Sequence, residues 1–158
     1  MARFENAWAE GDIVHVTFNL DSESIDTIFE DPIYAQTMVE DLIQSCALHQ
    51  SPLYAYCVMP SHVHMLLKFV SSPSKVMQSI KGHSSHLLNQ LLGRKGRLWQ
   101  VKSWDVVVTS RKQFLNVCFY IWNNPVKDDL VKHPSEYRFS NHAQNHPMVN
   151  EMAKQVFP

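Results

Sequence analysis

Hydrophobic and polar positions change period along this chain, and the changes mark out elements in the order β-α-β-β-α-β-α. The run Ile13-Val14-His15-Val16-Thr17-Phe18-Asn19-Leu20 is β-branched and apolar and predicts a first strand. Asp31-Pro32 then opens a helix, aspartate as N-cap and proline in the first helical position. It runs to about His49 with Ile33, Met38, Leu42 and Ile43 as its apolar face, and Ser51-Pro52 breaks it. A second strand over about Leu53 to Met59 and a third over His62 to Val70 are joined by Pro60-Ser61, which predicts an antiparallel hairpin.

After Ser71-Ser72-Pro73-Ser74 a second helix has one face of Val76, Ile80, Leu87, Leu88, Leu91 and Leu92 and one of Lys75, Lys81, His83 and His86, ending at Gly93. Leu98-Trp99-Gln100 begins another extended region, and Asp105-Val106-Val107-Val108-Thr109 is strand by β-branching. The last strong element is a helix from about Ser110 to Asn123. It is apolar nearly all round, which predicts deep burial, and Pro125 ends it. From about residue 126 a mostly irregular tail is expected, with room for one short helix near the C-terminus. This order implies an α+β fold with an antiparallel sheet and helices packed mainly on one face.

At 158 residues the chain predicts one domain, 1–158. Its three widely spaced cysteines make neither a disulfide framework nor a Cys-x-x-Cys pair, which points to a reducing cytosol. The charged N-terminus does not look like a signal peptide, and no apolar run reaches membrane-spanning length. The net charge of −1 conceals a segregation: residues 1–50 carry −9 and residues 51–112 carry +8. Lys68, Lys75, Lys81, Arg94, Lys95, Arg97, Lys102, Arg111 and Lys112 are therefore candidate contacts to a polyanion, with simple pairing of acidic and basic segments as the alternative.

Candidate chemistry begins on the third strand. His62, His64 and Leu66 share one of its sides, and Val63, Met65 and Leu67 the other. Two imidazoles one pleat repeat apart suit a shared divalent ion, although two of nine histidines can also share a face by chance. In the last helix Tyr120 and Asn124 stand four residues apart, one turn along one face. A tyrosine there is ordinarily a core residue, and an asparagine before proline ordinarily a helix end.

Taken together, these motifs point to a family. Met59-Pro60-Ser61-His62-Val63-His64-Met65-Leu66-Leu67 resembles the Met-Pro-Asn-His-x-His core of the single-tyrosine HUH transposases. Phe119-Tyr120-Ile121-Trp122-Asn123-Asn124-Pro125-Val126 resembles their tyrosine helix. His15-Val16-Thr17, Leu98-Trp99-Gln100 and Tyr137-Arg138-Phe139-Ser140 are similar to lesser landmarks of the REP-associated tyrosine transposases. Ser61 and Lys127-Asp128-Asp129 depart from the family pattern.

The resemblance implies a ferredoxin-like fold and a metal-dependent enzyme that cuts and rejoins single-stranded or hairpin DNA. Tyr120 would be the nucleophile, forming a 5′-phosphotyrosine, and His62, His64 and Asn124 would hold Mg²⁺ or Mn²⁺. Trp99, Trp104 or His83 could stack on unpaired bases. A single nucleophilic tyrosine leaves a homodimer open. A non-catalytic, domesticated DNA-binding domain on the same fold is the alternative, and a zinc hydrolase is another, provided a third strong ligand joins the histidine pair.

Overall fold

A computed structural model describes residues 8–21 and 26–158. Ile13–Leu20 forms β1, Leu53–Val58 β2, His62–Lys68 β3 and Trp99–Val108 β4. They make one antiparallel sheet in the order β2-β3-β1-β4. Helix α1, Pro32–Leu48, connects β1 to β2, and α2, Pro73–Leu92, connects β3 to β4. Each helix therefore bridges two parallel strands with an antiparallel one inserted between them, the ferredoxin-like arrangement that was expected.

Local signals account for the boundaries. The Asp31 carboxylate accepts from Ile33 N–H at 2.9 Å, and Pro32 stands at the first helical position. Gly93 closes α2 at φ 64°, a left-handed conformation that glycine adopts without a Cβ clash. The fourth strand is continuous from Trp99, where only its second half had a clear β-branched signature.

Both faces of the sheet are apolar, so both need cover. Val14, Val16, Phe18, Val63, Met65 and Leu67 form one core with Met38, Leu42, Val76 and Ile80 of α1 and α2. Ala55, Cys57, Met59 and Leu66 form a second core with Phe114, Cys118, Ile121 and Trp122 of α3, Arg111–Lys127. The two core helices thus share one face, and α3 takes the other. Helix α3 is less buried than its composition suggests, because only one side meets the sheet and Phe119 and Tyr120 stay partly exposed. Likewise Met38 and Leu42 of α1 are buried, while Ile33 is 68% exposed and Ile43 faces out.

Pro125 does not end α3 as expected, for the helix continues to Lys127. A proline in the last turn forfeits one hydrogen bond only, while its carbonyl still accepts from Leu130 N–H at 2.8 Å. Beyond it, in a tail expected to be mostly irregular with one short helix near the C-terminus, the chain makes two short helices, α4, His142–Asn145, and α5, Val149–Val156. Val149 and Ala153 join the α3 core. Residues 137–141 cover the edge of β2: Tyr137 Oη donates to the Val58 carbonyl at 2.6 Å, and Val58 N–H donates to the Phe139 carbonyl at 2.8 Å. No helix among the described residues is long and apolar enough to cross a membrane.

Candidate active site

Alternation along β1 and β3 builds the floor of the site. Val14, Val16 and Phe18 point into the α1–α2 core, so His15 and Thr17 face α3. Pairing sets Thr17 opposite His64 on one side and opposite Trp104 on the other. His62 and His64 share this face, their ring centroids 4.9 Å apart. Tyr120 comes down from α3, its ring 5.7 Å from His64 and 5.8 Å from His15. Histidine and tyrosine elements far apart in sequence thus meet in one place.

His64 is held from behind. Its Nδ1 lies 2.9 Å from Thr17 Oγ1 and 3.2 Å from His15 Nε2. With the proton on Nδ1, His64 donates to Thr17 and turns the Nε2 lone pair outward. His62 Nδ1 lies 3.0 Å from Ser61 Oγ, which again leaves Nε2 as the outward nitrogen. The serine that departs from the family pattern therefore has an orienting contact.

Burial keeps these rings uncharged. It pulls His64 down to about 3, helped by the neighbouring His62 and His15, and His15 down to about 4. His62 is lowered by burial too, against an opposing pull from the Asp128 carboxylate. Neutral imidazole is the form that binds a metal.

Asn124 is buried, and its Nδ2 donates to the Tyr120 carbonyl at 2.8 Å, one turn back along α3. That bond uses the amide nitrogen, so the amide oxygen is the atom Asn124 would offer to a metal. Two neutral imidazoles and an amide oxygen fit a divalent ion by donor type. Among the described residues no group of three His, Cys, Asp or Glu side chains is placed to hold a metal ion.

Tyr120 is 48% exposed and borders a pocket of about 600 Å³. Its other lining includes His15, Thr17, His64, Trp104, Val106, Asn116 and Val117. Lys127 Nζ stands 5.9 Å from the centre of the Tyr120 ring. Of the aromatic candidates for base stacking, Trp99 is core: its Nε1–H donates to Ser84 Oγ at 2.9 Å and its ring meets Phe18. His83 is bonded to the buried Asp41 carboxylate, pinning α2 to α1. Trp104 alone of the three is at the pocket.

The basic residues do not form one surface. Lys75 and Lys81 belong to α2, and Lys81 donates to the Gln100 carbonyl at 2.9 Å. Arg94 donates to Asn89 and to the Arg97 carbonyl, which places it, Lys95 and Arg97 in the turn after α2. Arg111 and Lys112 begin α3 on the opposite face of the sheet. Lys68 lies level with Val108 across the sheet, at that end, and Lys102 is exposed on β4.

The contacts by which His15 and Thr17 support His64 are not visible in the sequence alone. The alternation of β1 put both on one face, but only strand pairing reveals which histidine they meet.

A family model described as transposase, IS200-like, matches residues 13–124, from β1 through Asn124. The chain belongs to that family. A REP-associated tyrosine transposase of Haemophilus influenzae is 23% identical over 109 residues, covering 61% of this chain and 62% of that protein. The chain thus spans less than two thirds of that relative's length. The solved structure of a REP-associated tyrosine transposase bound to a REP hairpin has a TM-score of 0.74 at 21% identity, covering 100% of this chain and 89% of the other. A crystal structure of a Deinococcus radiodurans protein described as a transposase has a TM-score of 0.51 at 19% identity, over 75% and 94% of the two chains. At these identities the structural likeness establishes the fold.

Proposed function

We propose that this member of the IS200-like family is a single-strand DNA endonuclease and strand transferase acting through Tyr120. One observation carries the reading: Tyr120 on α3 and the His15–His64 pair on the sheet converge within 6 Å between ring centres. In the proposed step the Tyr120 oxygen attacks phosphorus, a tyrosine–phosphate bond forms, and the bond to the departing 3′ oxygen breaks. The 5′ phosphate stays on the enzyme and the other product ends in a 3′-hydroxyl. The covalent link conserves the phosphodiester, so a 3′-hydroxyl can reverse the step without ATP.

His62, His64 and Asn124 would hold a Mg²⁺ or Mn²⁺ ion, which when bound supplies charge neutralisation at the phosphate. Thr17, His15 and Ser61 orient the two imidazoles. Asn124, bonded to the Tyr120 carbonyl, ties the ligand set to the nucleophile's own helical turn. Lys127 Nζ, 5.9 Å from the centre of the phenol ring, adds positive charge beside the nucleophile.

The substrate is unpaired or hairpin DNA, by likeness to the neighbour solved with a REP hairpin. Incubation with single-stranded and hairpin oligonucleotides and Mn²⁺ tests the reading. It predicts a protein–DNA adduct that survives denaturing electrophoresis and disappears in Tyr120→Phe and in His64→Ala. Binding without any adduct would instead favour the domesticated, non-catalytic reading.

A further inference from the structure

Four tryptophans serve this chain, and three are buried: Trp8 stacks on Phe69, Trp99 packs on Phe18, and Trp122 Nε1–H donates to Asn141 at 2.8 Å. Trp104 is 73% exposed and, among the described residues, contacts no other aromatic ring. A lone exposed apolar side chain is ordinary, but this one has an address. Strand register places His64, Thr17 and Trp104 side by side across β3, β1 and β4, so Trp104 stands two strand spacings, roughly 10 Å, from the candidate metal histidine.

The space beside it is a pocket lined mainly by apolar surface. The pocket of about 600 Å³ lies within the size range of small-ligand sites, ~300–1,000 Å³. Trp104, Val106 and Val117 give it apolar walls, and the Asn116 amide, one turn before Tyr120 on α3, supplies a donor and an acceptor. Lys102, exposed two residues before Trp104 on β4, offers a cation to a backbone phosphate. A largely apolar pocket with an exposed indole, the Asn116 amide and the Asp105 carboxylate in its lining, and a cation nearby matches the chemistry of an unpaired nucleotide.

We propose that Trp104 is the stacking platform for an unpaired base next to the phosphate held at Tyr120, and that this pocket is a single-nucleotide subsite with Asn116 at the base edge. The inference rests on the single-strand DNA reading and goes beyond it by fixing where the strand lies. A duplex would have to flip that base out of its stack, so the subsite also selects unpaired DNA.

The test uses the full chain with Tyr120→Phe, which keeps the DNA intact, and anisotropy of labelled single-stranded oligonucleotides. A single abasic position is moved along the strand. Adding Trp104→Ala should weaken binding from about fivefold to somewhat over a hundredfold, the range base–aromatic stacking supports, and Trp104→Phe should retain most of it. One abasic position should remove the difference between tryptophan and alanine, because the stacked base is then absent from both. Thermal melting should be unchanged, since the side chain is exposed. Equal affinity of the alanine variant, or a loss indifferent to the abasic position, overturns the subsite while leaving the proposed cleavage chemistry in place. Failure of the protein to bind any single-stranded DNA overturns both.

Discussion

His64 sits at the centre of the proposed chemistry, and its neighbours decide which nitrogen it offers. Thr17 and His15 occupy Nδ1, so removing them should cost metal affinity rather than fold. Thr17→Val is expected to weaken Mn²⁺ binding about 10–100-fold by isothermal titration, the usual cost of removing such a support. An unchanged titration would mean that His64 is oriented by something else. The same burial links stability to pH. His15 and His64 titrate at about 4 and about 3 in the fold, against 6.5 when exposed, so the unfolded chain binds more protons below 6.5. Stability of the metal-free protein should therefore be full above pH 6.5 and fall towards pH 5, a decline flattened in a His15→Gln, His64→Gln double variant. A urea midpoint constant across that interval would contradict the burial of these rings. At this scale the histidine pair and Tyr120 were legible from alternation and motif, because each lies in one short stretch. The Thr17–His64 and Ser61–His62 contacts were not, since a side-chain contact depends on rotamer and strand register.

The elements were legible wherever one residue type has a single structural meaning. Asp31-Pro32 opened α1 and Gly93 closed α2 as expected, because capping and left-handed backbone are local properties. Pro125 misled, since its cost depends on how many turns follow it, and α3 had only its last turn left. The burial of α3 was overstated because composition does not say how many neighbours a helix will have. What holds α3 to the sheet is partly the tail. Asn141 Oδ1 accepts from Tyr56 N–H at 2.9 Å and from Trp122 Nε1–H at 2.8 Å, and its Nδ2 donates to the Tyr54 carbonyl at 3.1 Å. One amide thus joins β2, α3 and the tail. Asn141→Ala strands two buried donors and should destabilise the protein by about 2–4 kcal/mol in urea unfolding. A change under about 1 kcal/mol would show that water or a shifted backbone takes over those bonds.

Over the whole molecule, the split of charge along the sequence does not become one basic face. Helix α2 and its following turn lie with α1, while Arg111 and Lys112 begin α3 on the side of the sheet that carries Tyr120. If DNA reaches Tyr120, Arg111, Lys112, Lys102 and Lys68 share its face, with Lys127 beside the phenol ring. Charge reversal at Lys102, Arg111 and Lys112 should weaken single-strand binding. It should also flatten the salt dependence by about 0.7 in log–log slope for each phosphate left without a cation. Reversal at Lys75 and Lys95 should do neither, and equal effects from both sets would place the strand elsewhere. The proposed chemistry is narrower than DNA binding: Tyr120 becomes joined to the 5′ phosphate of a cut strand. Mass spectrometry of the adduct formed with a single-stranded oligonucleotide and Mn²⁺ tests this directly. Nucleotide mass is expected on the tryptic peptide 113–127, at Tyr120, with no adduct from Tyr120→Phe. An adduct on Tyr34, Tyr54, Tyr56 or Tyr137, or undiminished cleavage by the phenylalanine variant, would contradict it.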